Sequence, residues 1–103
     1  MYNVILFCQM KIIYDKEKNA IIKEKRDISF EEIEKAVREG KLFAIVNHPN
    51  QDRYPGQKLL IVNIHDYACV APFVEQNDML FLKTAFFSRK YTKKYCKERR
   101  ISV

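Results

Sequence analysis

The chain of 103 residues contains no tryptophan, only two glycines and three prolines, and three widely spaced cysteines, Cys8, Cys69 and Cys96. Gly40 and Gly56 are too few and too far apart for the glycine-rich loops that hold nucleotide phosphates. The cysteines are odd in number and form no CxxC pair, which argues against a disulfide framework and a zinc site and favours a reducing cytoplasm. We therefore expect no cofactor and no metal.

Long hydrophobic runs are also missing. The apolar residues 4–8 fall far short of the roughly 20 needed to cross a bilayer, and no basic residue precedes them as in a signal peptide. We expect neither export nor a membrane anchor. Because Met10 opens a strand pattern of its own, residues 1–9 are interpreted as an upstream extension of the natural start or as an extra edge strand.

The chain does have apolar side chains and a concentrated positive charge. Hydrophobic residues make up 48% of the sequence, which supports one ordered domain over residues 1–103 with a single core. The net charge is +6, and residues 83–103 hold the whole surplus, with eight basic side chains and one acid. Such an end favours polyanions, either RNA phosphates or the acidic surface of a protein partner; the alternative is a solvated helix.

Two helices are predicted after a short first strand, residues 10–14. Asp15 stands where a helix N-cap belongs, ahead of a charged helix over residues 16–25. Ser29 and Glu32 form a capping box, with Ile28 and Ile33 as the hydrophobic staple. The second helix therefore starts at residue 29 or 30, and Gly40 marks its end.

Beyond Gly40 the pattern becomes that of strands, over residues 42–46, 58–64, 67–74 and 79–87. Tight turns are expected at residues 65–66 and 76–78, and a longer polar loop spans residues 47–56. Residues 88–100 read as a basic helix. The prediction is an α+β fold, in which an N-terminal strand and two helices pack on a twisted antiparallel sheet of about four strands, closed by that helix.

Three stretches resemble the BrnT-like toxins of bacterial type II toxin–antitoxin systems, which are related in fold to the RelE/ParE toxins. The first is Tyr14 and Asp15 followed by Lys18 and Asn19 in the first helix. The second is the segment KRDISFEE, residues 25–32, and the third is residues 88–95, SRKYTKKY. The chain departs from the family at Arg26 and Asp27, where His and Gly are common, and the loop from His48 to Tyr54 has no close counterpart there.

The resemblance implies a RelE-like fold and a metal-independent endoribonuclease that cleaves mRNA, inhibits translation and is neutralised by a cognate antitoxin. That antitoxin is expected to be a ribbon-helix-helix DNA-binding protein, with a heterotetramer as one assembly. RNA cleavage without a metal needs a base for the 2′-hydroxyl proton, an acid for the leaving oxygen, and cations that stabilise the charged phosphate.

Four residues are predicted to be catalytic: His48, Arg53, Arg89 and Lys90. His48 lies in a polar loop and carries an imidazole, the side chain type suited to both acid and base work, whereas His65 occupies a tight turn typical of an exposed structural histidine. Arg89 follows the last strand and is placed to grip a phosphate, unless it pairs with a glutamate of the second helix, such as Glu31 or Glu34. Glu75, at the end of a strand, is a secondary candidate for the base.

The predicted RNA-binding residues are basic or aromatic side chains near the two ends of the fold: Lys25, Arg26, Tyr91, Lys93, Lys94 and Tyr95. The two tyrosines could stack on bases, although packing against the sheet is the commoner use of such a pair. Two other functions stay open. One is a non-catalytic toxin on the same fold that poisons a protein target, and the other is an RNA-binding module without toxicity.

Overall fold

A computed structural model describes residues 11–96 of the chain, and the side chains of residues 11–95. The elements in chain order are strand β1 (Lys11–Tyr14), helices α1 (Lys16–Arg26) and α2 (Phe30–Arg38), strands β2 (Leu42–Asn47), β3 (Lys58–Ile64), β4 (Tyr67–Gln76), β5 (Met79–Leu82) and β6 (Phe86–Phe87), and a short helix α3 (Arg89–Tyr91) that continues as a π-helical turn, Thr92–Cys96. The predicted α+β class is confirmed. Residues 1–10 and the end of the predicted basic helix, residues 97–100, lie outside the described residues.

The sheet is mixed, with strand order β1-β5-β4-β3-β2 and β6 beside β4. All its pairings are antiparallel except that of β1 with β5, which runs parallel from Lys11 opposite Met79 to Tyr14 opposite Leu82. The predicted antiparallel sheet of about four strands is found in β2 to β5. The sheet is larger than predicted, however, because β1 joins it in parallel and β6 pairs with β4. Parallel neighbours need a long connection, and the chain passes through both helices and three strands before β5 reaches β1.

The hairpin turns agree with the sequence. His65 and Asp66 both adopt positive φ, as do Asn77 and Asp78, which is the backbone of the two-residue turns that favour a twisted hairpin. The Asn63 side chain supports the first turn by accepting a hydrogen bond from the Asp66 N–H at 2.9 Å. These turns set the register of β3, β4 and β5.

Hydrogen bonds with polar side chains cap both helices and connect α1 to α2. Asp15 accepts from the Glu17 N–H at 2.8 Å and caps α1, and Ser29 accepts from the Glu32 N–H at 3.1 Å and caps α2. Buried Asn19, in α1, accepts from the Phe30 N–H at 2.9 Å.

The side-chain amide of Asn19 also donates to the Glu31 carboxylate. This bond and the neighbouring Lys23 ammonium hold the pKa of the Glu31 carboxyl below its usual value. The start of α2 is thus tied to the middle of α1.

The sheet buries a different apolar cluster on each face. On the helix side, Ile22 and Phe30 pack with alternate strand residues such as Leu60, Ala71 and Phe73. On the other side a smaller cluster contains Leu59, Ile61, Ala68 and Val70, with the tyrosines of the last helical segment packed over it. We call this second face the open face, because α1 and α2 do not cover it. No helix within residues 11–96 has the length and apolarity needed to cross a membrane.

Candidate active site

A cavity of about 340 Å³ lies on the open face, beside the segment that joins β5 to β6. Pro72 forms part of its wall, and the neighbours Ala71 and Phe73 point into the helix-side cluster, so the alternation of side chains along β4 directs Pro72 to the open face. The lining combines a cation, aromatic rings and hydrogen-bonding groups: His48, Tyr54, Gln57, Pro72, Lys83, Thr84 and Phe86.

The polar loop between β2 and β3 supplies three of these residues and is held by its own side chains. The Gln51 amide donates to the carbonyl oxygens of His48 at 2.7 Å and Gln57 at 3.1 Å, and its oxygen accepts from the Gly56 N–H at 3.1 Å. The His48 N–H donates to the Gln57 carbonyl at 3.0 Å. One glutamine side chain thus bonds to both ends of the loop.

The loop also fixes which nitrogen of His48 carries a proton. Its Nδ1 lies 3.0 Å from the backbone N of Asn50. Because a backbone N–H can only donate, Nδ1 accepts, and the proton of the neutral imidazole sits on Nε2. The ring centroids of His48 and Tyr54 are 4.5 Å apart, and the Arg53 guanidinium carbon lies 5.5 Å from the centroid of the Tyr54 ring. Predicted residues His48 and Arg53 are therefore grouped around one tyrosine.

Lys83 and Thr84 enter the cavity where the sheet ladder is interrupted. Phe73 of β4 pairs with Leu82 of β5, and Val70 of β4 pairs with Phe86 of β6. The two pairs are three residues apart along β4 but four residues apart along the partner segment, so the register shifts by one residue. Pro72 lies at this point and has no N–H to donate, although its carbonyl still accepts from the Lys83 N–H at 2.8 Å. The sequence prediction of one continuous strand over residues 79–87 is wrong here, because β5 ends at Leu82 and β6 begins at Phe86. The sequence analysis also did not identify Lys83 and Thr84 as site residues.

Arg26 reaches this interruption from the helix layer. It is the last residue of α1, and its Nη1 donates to the Thr84 hydroxyl oxygen at 3.1 Å and to the Ala85 carbonyl at 2.9 Å. The structure therefore gives Arg26 two protein partners, while contact with RNA stays a prediction. Lys25 is exposed on the same helix, across the sheet from the cavity.

The last helical segment is anchored on the open face by Ser88 and Thr92. The Ser88 N–H donates to the Ala68 carbonyl at 3.0 Å, and the Ala68 N–H donates to the Thr92 hydroxyl oxygen at 2.9 Å. Ser88 also caps α3 by accepting from the Tyr91 N–H at 3.2 Å. This pairing continues the contact of β6 with β4.

Tyr91 and Tyr95 are half-buried against the smaller apolar cluster. The Tyr95 ring stacks on Phe43 of β2 with centroids 5.3 Å apart, and the two tyrosine rings stack at 6.2 Å. Packing, the alternative to base stacking, therefore accounts for both rings. Base stacking by either tyrosine stays a prediction.

The cations of this segment point to solvent. Arg89, Lys90, Lys93 and Lys94 are all exposed, and Lys94 lies 5.5 Å from the Tyr95 ring centroid. The suggested pairing of Arg89 with Glu31 or Glu34 is not the arrangement found, because those glutamates bond to Lys23 and Arg38 on the helix side. The four cations and the cavity belong to the open face.

Three other titratable side chains lie in a turn, in an ion pair and in the core. His65 sits in its turn with a side chain that is 84% exposed, 3.9 Å from Glu32. Glu75 is paired with Lys58 at 3.1 Å. Burial, with a smaller contribution from the charge of Glu32, raises the pKa of the Cys69 thiol to about 12, so it is no nucleophile near neutral pH.

Within the part of the chain that the structure describes, no three His, Cys, Asp or Glu side chains converge on a point that suits a metal ion. The cavity is instead lined by one cation, Lys83, by the aromatic side chains of His48 and Tyr54 and by the Thr84 hydroxyl. Arg53 lies beside the Tyr54 ring. The chain matches no protein-family model, no curated protein and no solved structure.

Proposed function

We propose that the protein is a metal-independent endoribonuclease that cleaves mRNA at the open-face cavity and acts as the toxin of a type II toxin–antitoxin system. A cognate antitoxin, of the ribbon-helix-helix class by the resemblance stated above, neutralises it, and the fold is RelE-like. The observation that carries the catalytic part is the cavity, where Lys83, His48 and Tyr54 meet on the face that also presents the basic helical segment.

Cleavage at this cavity requires charge stabilisation above all. The 2′-oxygen of the ribose attacks the adjacent phosphorus, the bond from phosphorus to the 5′-oxygen breaks, and a cyclic phosphate and a free 5′-hydroxyl are formed. Negative charge builds on the non-bridging oxygens in the transition state, and a fixed cation lowers that barrier. We assign this role to Lys83, with Arg53 as the second cation beside the Tyr54 ring.

His48 is assigned a hydrogen-bond role. Its Nδ1 lone pair is already committed to the Asn50 N–H, so its Nε2–H is the group free to donate to a phosphate oxygen. The 2′-hydroxyl proton then passes to solvent, and the leaving 5′-oxygen takes its proton from water or from the Tyr54 hydroxyl. Arg89, Lys90, Lys93 and Lys94 bind the RNA backbone beside the cavity, where their charges release counterions on binding.

The test is induced expression in a bacterial host with measurement of growth and mRNA integrity, together with cleavage of a single-stranded RNA by the purified protein. We expect growth arrest and mRNA fragmentation. Lys83→Ala should lower the cleavage rate roughly 100-fold or more, by analogy with removal of one transition-state donor. Lys16→Ala, an exposed lysine at the start of α1, is the matched control and should cleave like the unmodified protein.

Substitutions of His48 separate its roles. His48→Gln keeps an N–H near the position of Nε2 and should retain far more activity than His48→Ala, whereas a general base would be lost equally in both. Arrest with intact mRNA would replace the nuclease by a toxin that poisons a protein target. Unaffected growth, with RNA binding but no cleavage, would leave an RNA-binding module.

A further inference from the structure

We infer that Arg26 is a positioning residue of the cavity, which acts from the opposite side of the sheet by orienting Thr84 and fixing the segment that carries Lys83. This inference rests on the proposed function of the cavity. It replaces direct phosphate binding, the role that the sequence suggested for Arg26, with one that acts through other residues.

The contacts converge on the interruption between β5 and β6. A single atom, Nη1 of Arg26, bonds to the Thr84 hydroxyl oxygen at 3.1 Å and to the Ala85 carbonyl at 2.9 Å. Ala85 is completely buried with the Arg26 side chain in place, and its carbonyl accepts a hydrogen bond from that side chain. A buried carbonyl that loses its partner is costly, and the segment would move to regain one.

The bond to Thr84 also gives its hydroxyl a direction. The oxygen accepts from Arg26, so the hydroxyl hydrogen is available for another acceptor. Thr84 lines the cavity, and an acceptor bound there, such as a phosphate oxygen, is the partner we assign to it. Arg26 thus turns Thr84 into a donor aimed at the substrate.

The same segment sets the position of Lys83. Its backbone N–H is held by the Pro72 carbonyl at 2.8 Å, on the residue where the ladder loses a donor. The Lys83 ammonium also lies 4.8 Å from the centroid of the Phe81 ring. The Arg26 contacts with Thr84 and Ala85 restrain the two residues that follow Lys83. Loss of Arg26 should therefore change the placement of a catalytic cation without removing any charge from the open face.

Positioning and phosphate binding differ in their salt dependence. A side chain that neutralises a phosphate adds about 0.7 to the slope of log binding constant against log salt for single-stranded nucleic acid. A positioning residue adds nothing to that slope and acts on the rate of the chemical step, because a small displacement of a catalytic group is felt in the transition state.

The experiment compares Arg26→Ala, Arg26→Lys and the control Lys16→Ala. Cleavage of a single-stranded RNA gives kcat and KM, and binding of the same sequence with 2′-O-methyl groups, which cannot be cleaved, gives the salt slope. For Arg26→Ala we expect kcat to fall roughly 10- to 100-fold, with KM and salt slope unchanged. Millimolar guanidinium should restore part of that kcat and should leave Lys16→Ala unaffected. A slope reduced by about 0.7, or a raised KM with kcat unchanged, would make Arg26 a phosphate ligand and overturn the inference.

A second measurement does not depend on RNA cleavage. Amide hydrogen exchange should speed up in residues 83–87 of Arg26→Ala, and to a smaller extent in Thr84→Val, which keeps the shape of threonine but cannot accept the bond. Exchange in β3 should stay as in the unmodified protein. An unmodified protein that cleaves no RNA would refute the proposed function alone, whereas unchanged exchange in residues 83–87 would refute the positioning role.

Discussion

The two faces of the sheet use their side chains in different ways. On the helix side, Phe30, Ile33 and Leu60 are completely buried, and Asn19 and Ser29 are bonded to their neighbours. The open face has a smaller cluster, a cavity and exposed cations. Stability is thus concentrated on one face, and chemically active groups on the other. Substitutions inside each face should separate the two, because the buried residues of the two faces form separate clusters.

The largest expected effect comes from paired truncations of phenylalanine. Phe30 is completely buried, whereas Phe86 in the cavity wall is 37% exposed. Phe30→Ala should lower the free energy of unfolding by about 3–5 kcal/mol because it removes a core ring and leaves a cavity. Phe86→Ala should cost about 1 kcal/mol or less, because much of the ring already meets water. Urea denaturation of both variants measures the difference, and equal losses would contradict the assignment of stability to the helix side.

A smaller effect is expected at Asn19. Asn19→Ala leaves the Phe30 N–H without its partner and removes the amide bond to the Glu31 carboxylate, which keeps its ion pair with Lys23. An unsatisfied buried donor costs about 1–3 kcal/mol, which sets the expected loss in free energy of unfolding. Asn47→Ala, at an exposed asparagine at the end of β2, is the control and should change the value by about 0.5 kcal/mol or less. A similar loss in both variants would mean that the link between α1 and α2 contributes little.

Local signals explain which elements could be predicted. Asp15 and Ser29 mark helix starts because a cap is made within three residues of itself, and both caps are found. The β3 bounds also match, and so do the turns at its end and at the end of β4, because turn backbone depends on a few adjacent residues. Two of the three stretches that resemble the toxin family contain these caps and Asn19. Apart from Arg26, they therefore describe how the helix layer folds rather than what the cavity does.

Long-range contacts explain what was missed. The parallel pairing of β1 with β5 and the contact of Arg26 with Thr84, 58 residues apart, have no counterpart in local periodicity. The polar loop containing His48 could be selected from sequence because proline, asparagine and arginine interrupt the strand pattern there. Lys83 and Thr84 carried a weaker signal of the same kind, as two polar residues inside an apolar run. Only the structure shows that these two residues line the same cavity as the loop residues His48 and Tyr54.

The smallest expected effect is a gain in stability at Asp27, which ends α1. Asp27 adopts φ of 55° and ψ of 37°, in the left-handed region where side chains other than glycine are strained. Glycine adopts that backbone freely. Asp27→Gly should therefore raise the free energy of unfolding by about 0.5–1 kcal/mol, the usual gain from relief of such strain net of the added freedom of the unfolded chain.

The same variant tests whether the two faces are independent. The Arg26 contacts with Thr84 and Ala85 need the end of α1 to stay in place, and glycine can keep the backbone of Asp27 unchanged. RNA cleavage by Asp27→Gly should then equal that of the unmodified protein while its melting temperature rises by a few degrees. Asp27→Ala, which removes the carboxylate but keeps the strain, is the control and should show no such rise. A gain in stability accompanied by loss of cleavage would show that the end of α1 had shifted, since the Arg26 side chain connects it to Thr84 in the cavity wall.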